Sequence, residues 1–345
     1  AYEDLRQSYS AIFVGLRAHR GVRLDLPTGE APNVLSALEF LQRVNAGIPF
    51  LIGKTAVVVG GGDVAVDAAR LAIRLGAQTT LLFRKTVQEM PASAHEVEEA
   101  RREGVAIVCP ATPTAVGVEN GLATGLTCLR LEPGEPDGAG LRPLNPVPGS
   151  EFFVKGETII VAAKPERDFA GLASLRDASG RIPVDDLGET SVPNTFLAGD
   201  DLELGIVSTA ILRGRRVAET MHARFRGMTP EAVPAPPVIA HDRMRLDYYP
   251  RQPRTETATL PVAERMAHPD REVDIGWSGD QAIAEAKRCL SCGLCFACDT
   301  CWKYCQEQAV VKPAAKGEPY RFKLEFCQGC KKCAEECPCG YIEMR

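Results

Sequence analysis

The sequence predicts an α/β protein in which a parallel sheet, covered on both faces, is followed by a small cysteine-rich domain that binds metal. Three observations carry that expectation. Strand-like β-branched runs alternate with helical patterns between residues 55 and 108. The first strand-to-helix junction reads ValGlyGlyGlyAspVal at 59–64. Eleven of the 13 cysteines lie between Cys289 and Cys339, and such tight clustering points to metal rather than to disulfides.

The 345 residues are 45% apolar and 25% charged, enough for a sizeable core divided over two or three domains. Lys plus Arg is 40 against 45 Asp plus Glu, and the net charge of -5 argues against a broad footprint for nucleic acid or anionic lipid. No apolar run approaches the ~18 residues of a membrane span. The opening AYEDLRQSYS lacks the basic and apolar regions of a signal peptide. A cytoplasmic protein is expected, with no nucleic-acid or membrane partner. The chain opens on Ala1 and enters a strand-like segment, which points to a processed or truncated start.

In chain order, residues 11–15 read as a buried strand and 31–42 as a helix after a loop. Then come a strand at 55–59, a helix at 63–75 with apolar residues at 64, 68, 71, 72 and 75, and a strand at 79–83. A charged surface helix at 93–103 leads to a third strand at 105–108. From about 112 to 158, Gly and Pro interrupt short strands, which suits an antiparallel excursion. Strand character returns at 158–162 and 194–198, and 205–225 reads as a long helix. Residues 229–280 show little periodicity and read as an extended surface connector.

Gly60, Gly62 and Ala65 fit G-x-G-x-x-A between a strand and a helix. The first glycine permits a tight turn, the second lets backbone approach a pyrophosphate, and the small third residue lets helix pack on strand. The helix N-terminus attracts the phosphates. An ordinary glycine-rich turn is the competing reading, and the flanking strand and helix favour a dinucleotide. Where an acidic residue would bind the ribose 2′-hydroxyl of NAD, this chain has Arg84 and Lys85, which favours the 2′-phosphate of NADPH over a merely solvated basic pair. Asp200, closing ThrPheLeuAlaGlyAsp at 195–200, suits either a ribityl or ribose hydroxyl or a plain helix cap.

Cys327, Cys330, Cys333 and Cys337, followed by Pro338, form C-x2-C-x2-C-x3-C-P, and Cys295, Cys298, Cys301 and Cys305 repeat the spacing. This is the two-cluster ferredoxin pattern, in which the fourth cysteine of each run ligates the other cluster. One cluster therefore takes Cys295, Cys298, Cys301 and Cys337, and the other Cys327, Cys330, Cys333 and Cys305. Zinc is the competing reading, although zinc knuckles usually stand further apart. Phe296, Val310, Phe326 and Ile342 are expected to shield the clusters. Cys289 and Cys292 continue the rhythm upstream and could replace a ligand in a shifted register, although the x3 spacing to Cys305 favours the assignment above, and Cys339 is expected to pack as a small apolar residue beside a cluster. Cys109 and Cys128 read as core residues, the five histidines show no ligand pairing, and no hydrolytic triad is evident.

Taken together, GlyGlyGlyAspValAlaValAspAlaAla at 60–69, LeuLeuPheArgLysThrValGlnGluMetProAla at 81–92 and the AlaGlyAsp turn with its ArgGlyArgArgValAlaGlu helix resemble the glutamate synthase small-subunit family of pyridine-nucleotide-disulphide-type flavoproteins. That resemblance covers about residues 1–225. The tail, at 288–305 and 327–340, resembles the fused ferredoxin of the DsrL-type iron–sulfur members, which are associated with dissimilatory sulfite reductase.

The resemblance implies a Rossmann-like NAD(P) domain inserted in a partial FAD domain of the two-dinucleotide-binding-domain flavoprotein type, plus a small α+β bacterial-type ferredoxin domain. Hydride would pass directly between nicotinamide and flavin, with no catalytic acid or base. Gly60, Gly61, Gly62, Asp63, Val64, Arg84 and Lys85 would then face NAD(P), and Gly199 and Asp200 would face FAD. The implied boundaries are 1–49 and 153–228 for the FAD segments, 50–152 for the NAD(P) domain, 229–288 for the connector and 289–345 for a domain with two [4Fe-4S] clusters.

Two departures stand out: AlaAlaLysPro at 162–165 replaces the family's glycine-containing turn, and the first FAD fingerprint, a further G-x-G-x-x-G, is missing. The chain thus reads as the C-terminal portion of a longer flavoprotein, or as one whose first βαβ unit is a separate polypeptide, and is expected to hold FAD weakly alone. The expected function is NAD(P)H-dependent electron transfer through FAD and two [4Fe-4S] clusters to or from a redox partner, a ferredoxin, glutamate synthase-like or sulfite reductase-like protein. A homodimer or a complex with a larger subunit is expected. The alternative is a non-enzymatic iron–sulfur docking subunit that has lost flavin.

Overall fold

The computed structural model describes residues 2–15, 21–135, 142–163, 169–198, 206–230, 238–315 and 317–344. The chain divides into two compact units, Ala1–Ala232 with Pro261–Arg271, and Val233–Leu260 with Glu272–Arg345.

Unit 1 begins with a helix that the sequence pattern did not signal, α1 (Tyr2–Ser8), and a short strand, β1 (Ile12–Val14). Next come β2 (Val34–Ser36), α2 (Ala37–Asn45), β3 (Thr55–Val59), α3 (Asp63–Arg74), β4 (Gln78–Leu82), α4 (Ala94–Arg102) and β5 (Ala106–Val108). The expected helix at 31–42 is thus part strand. Val34 and Leu35 pair with a later strand, and the Ser36 side chain accepts from the Glu39 N–H at 3.2 Å, so the helix starts only there. An antiparallel group follows, β6 (Ala111–Glu119), β7 (Leu122–Pro133), β8 (Leu144–Pro146) and β9 (Phe152–Lys155). Strands β10 (Thr158–Val161) and β11 (Thr195–Leu197) and the long helix α5 (Val207–Phe225) complete the α/β pattern.

The main sheet is parallel in the order β2-β10-β3-β4-β5. Apart from the polar start of β4, at 78–80, its strands are mostly apolar because both faces are covered, as expected. Helices cover only one of them. Ala56 and Val58 of β3 pack with Phe40, Val66 and Ala69 of α2 and α3, whereas Val57 packs with Val116, Leu126 and Cys128 of the antiparallel group. A separate parallel pair, β1 with β11, joins Ile12 to Thr195 and Val14 to Leu197.

The described residues of 229–280 are more regular than an extended connector. They contain β12 (Ala258–Thr259), α6 (Val262–Ala267), β13 (Asp274–Gly276) and the start of α7 (Gly279–Ala286). Helix α6 belongs to unit 1, and its one buried residue is Arg265. Six residues with a single buried position leave no periodic signal to read.

Unit 2 pairs β12 with β13 and β14 (Val310–Val311) with β15 (Arg321–Phe322), both antiparallel. Two very short helices, α8 (Thr300–Tyr304) and α9 (Lys332–Glu335), follow the cysteine loops. Among the described residues no helix is long and apolar enough to cross a membrane.

Candidate functional site

Unit 1 holds a cavity of about 770 Å³ at the carboxyl ends of β3, β4 and β10, within the ~300–1,000 Å³ usual for small-molecule sites. The glycine loop forms one wall. Gly60 has φ +150, and a Cβ there would lie 2.7 Å from the Ala162 carbonyl oxygen, so only glycine allows the loop to run against β10. Gly62 precedes the first turn of α3, and a Cβ there would meet nothing within 4 Å. Open space over helix N–H groups that lack intrahelical partners is the cradle a pyrophosphate needs. The departure at 162–165 falls here too, since Ala162 and Ala163 line the cavity and Ala162 takes the close approach to Gly60.

The other expected residues are treated unequally. Gly61, Asp63 and Val64 line the cavity, and Asp63 Oδ1 also accepts the Ser93 N–H at 3.2 Å, tying α3 to the start of α4. Arg84 lines the cavity and is exposed. Lys85 lies instead 3.4 Å from Glu89, whose carboxylate also accepts from the Thr86 N–H and hydroxyl. Those two hydrogen bonds, from the Thr86 hydroxyl first, hold the Glu89 carboxyl below its ordinary range. Gly199 and Asp200 lie outside the described residues. Arg23 and Asp25 also line the cavity, from a loop with no periodicity to single them out.

Unit 2 holds two further cavities, one lined by five cysteines and the other by four. The four expected ligands Cys295, Cys298, Cys301 and Cys337 line one together with Cys339, Phe296 and Ile342. Cys305, Cys327, Cys330 and Cys333 line the other, with Val310. Cys305 and Cys337 have thus crossed from their own runs to the opposite cavity. Phe326 lines neither and is 53% exposed, so it does not shield the site as expected.

The repeat extends to backbone conformation. Ala297 and Gly329, the second spacers of each run, have φ +57 and +68, and Asp299 and Lys331, which follow the second cysteines, have φ +66 and +61. Left-handed residues among right-handed ones turn successive N–H groups toward one side, a concavity that suits anionic sulfur. Asp299 is held by Lys312 Nζ at 2.6 Å and by the Tyr320 hydroxyl. Burial, then the neighbouring Cys298, Cys295 and Cys337, pushes the Cys301 thiol up to about 12, and burial also raises Cys333. Four thiolates gather at such a site only with bound cations to offset their charge. Among the described residues no three His, Cys, Asp or Glu converge closely enough to hold a single ion.

Cys289 and Cys292 are exposed and line neither cavity, whereas Cys339 is buried against the first, its Sγ 3.8 Å from that of Cys337. Tyr249, Tyr248 and Phe296 form an aromatic group there. Burial, with Cys339 and Cys292 next in effect, pushes the Tyr249 phenol up to about 12. In unit 1, Cys128 is buried and its thiol raised to about 11 by that burial, as a core residue should be, while Cys109 is half-buried.

Residues 14–223 match the family described as pyridine nucleotide-disulphide oxidoreductase. The chain is 35% identical over 308 residues to the NADP(+)-dependent formate dehydrogenase subunit beta of Moorella thermoacetica, covering 84% of this chain and 43% of that protein. It is 36% identical over 240 residues to the glutamate synthase [NADPH] small chain of Escherichia coli, covering 63% and 51%. The chain thus spans about half the length of the curated relatives it matches. Among solved structures, FprA of Mycobacterium tuberculosis in complex with NADPH has a TM-score of 0.53 at 16% identity, covering 68% of each chain. That likeness establishes the two-dinucleotide-binding-domain α/β fold.

Proposed function

This chain belongs to the pyridine nucleotide-disulphide oxidoreductase family, and from that premise we propose that it carries electrons between a nicotinamide cofactor, FAD and two [4Fe-4S] clusters, to or from a redox partner protein. The observation that carries the reading is the crossed grouping of eight cysteines around two cavities, in a chain that also holds a dinucleotide-sized cavity over a glycine loop. When bound, flavin would take a hydride's electron pair from nicotinamide and release it as single electrons, which the clusters carry.

This chain's own residues do the positioning. Gly60 and Gly62 let backbone reach the pyrophosphate, the α3 N-terminus offsets its charge, and Arg84 faces the ribose end. Cys295, Cys298, Cys301 and Cys337 would hold one cluster, and Cys305, Cys327, Cys330 and Cys333 the other. The partner is a ferredoxin or a larger catalytic subunit of the glutamate synthase or sulfite reductase kind.

Anaerobically purified protein should contain about eight iron and eight acid-labile sulfide per chain. Stoichiometric zinc without sulfide would refute the reading.

Arg84 and Lys85 are expected to differ, because only the former lines the cavity. Arg84→Gln should weaken NADPH binding roughly 10- to 100-fold, the loss of one charge-assisted contact, and leave NADH nearly unchanged. Lys85→Gln should shift neither. Titration by fluorescence quenching reads both constants, and equal losses for the two cofactors would remove the 2′-phosphate from Arg84.

A further inference from the structure

Three tail cysteines are not among the eight expected ligands: Cys289 and Cys292 line neither cavity, and Cys339 lines the first beside its four. The segments carrying Cys292 and Cys339 run side by side. The Gly293 N–H donates to the Cys339 carbonyl at 2.7 Å. Gly293 and Gly340, the next residue in each segment, both back onto Ile239: a Cβ on one would come within 2.6 Å of that side chain, and on the other within 2.8 Å. Both glycines have positive φ, +69 and +65, which turns the chain just after each cysteine. The Tyr249 hydroxyl donates to the Leu290 carbonyl at 2.7 Å and pins the loop that carries Cys292. With standard backbone dimensions, the Gly293–Cys339 hydrogen bond keeps the Cα atoms of Cys292 and Cys339 within about 7.5 Å. Disulfides span Cα separations of about 4.4–6.8 Å.

We propose that Cys292 and Cys339 form a reversible disulfide, a thiol–disulfide exchange site beside the first cysteine cavity. Cys292 is exposed and Cys339 buried, so the sulfur that meets a disulfide from solution is that of Cys292. It attacks glutathione disulfide, forms a mixed disulfide and releases one glutathione. Cys339 then displaces the second glutathione, leaving the Cys292–Cys339 bond. The two cysteines lose two electrons and two protons in total, and glutathione disulfide gains them as two thiols. Because the Cys339 sulfur is 3.8 Å from that of Cys337, the bond ties the cavity wall to the exposed loop. Cys289 is the rival partner, within a C-x-x-C spacing, but its sulfur accepts the Ser291 N–H at 3.4 Å within its own turn.

The full chain, purified without oxygen, is equilibrated with glutathione buffers of increasing oxidation, its free thiols are blocked with N-ethylmaleimide, and trypsin is added while iron is measured in parallel. Cleavage after Arg288, Lys303 and Lys332 places Cys292 on residues 289–303 and Cys339 on 333–345. The expected result is a cross-linked pair of these peptides, located by fragmentation at Cys292 and Cys339, reversed by reduced glutathione and missing from Cys292→Ser, with the iron retained. A Cys289–Cys292 link instead, or no link at any glutathione ratio that leaves the iron in place, overturns the proposal. Neither outcome depends on the electron-transfer reading, which fails separately if the iron is missing from the start.

Discussion

Cys305→Ala is expected to halve the iron of the protein, from about eight to about four per chain, by emptying the cavity it shares with Cys327, Cys330 and Cys333. Which four are lost distinguishes the crossed grouping from a simple one. If Cys305 serves the second cavity, adding Cys333→Ala removes a second ligand of the same cluster, and the double variant keeps about four iron. Adding Cys301→Ala instead strikes the other cavity, and iron falls toward zero. The reverse pattern would assign each run of four cysteines to its own cluster. Iron and sulfide analysis of the two double variants, with reduced-state electron paramagnetic resonance to identify the surviving cluster, decides between them.

The second large effect lies in unit 1, where Glu103 is surrounded by cations. Its carboxylate accepts from Arg70 at 2.8 and 3.2 Å, from Arg74 at 2.5 and 3.1 Å, and from Arg265 of α6 at 3.2 Å, and its side chain is fully buried. Arg265 also pairs with Glu99, and both side chains are 3% exposed. Burial by itself would raise the Glu103 carboxyl, but the hydrogen bonds from Arg70 and Arg74 outweigh it and bring the value down from 4.5 to about 2.

Glu103→Gln removes the carboxylate shared by three largely buried guanidinium groups, two of which keep a second partner in Glu96 and Glu99, and should cost roughly 3–5 kcal/mol. The pH dependence has a definite sign. A depressed folded value means that the stabilisation is fully present above the ordinary carboxylate value and is lost as pH falls toward 2. Between about pH 6 and 3, wild type should lose about 2 kcal/mol that Glu103→Gln does not. Both tryptophans, Trp277 and Trp302, lie in unit 2, so urea unfolding of unit 1 is followed by far-ultraviolet circular dichroism. Parallel pH profiles for the two proteins would show that Glu103 is not held ionised by its arginines.

Parts of this protein are determined by residues close together in the chain, and those were legible in the sequence. The glycine loop needs three small residues within six positions, and strand, turn and helix there follow from the same short stretch. Each cysteine run spans eleven residues, and its left-handed turns repeat at matching positions. The family resemblance rests on the same kind of local pattern and extended the reading to the fold.

Tertiary structure decided what depends on residues far apart. A cation's role is set by the groups that reach it, so adjacent Arg84 and Lys85 diverge: Lys85 lies beside Glu89, four residues on, whereas Arg84 lines a cavity built from segments far apart in the chain. Arg23 reaches that cavity from a loop whose sequence carries no pattern. The helix expected at 31–42 became strand in its first part because Ile159 and Ile160, more than a hundred residues away, supply a parallel partner. Helix α6 is placed by Arg265, which meets Glu99 and Glu103 across more than 160 residues. Spacing within a turn or two of chain constrains backbone geometry directly, whereas charge pairing and sheet neighbours exist only once distant segments have been packed together.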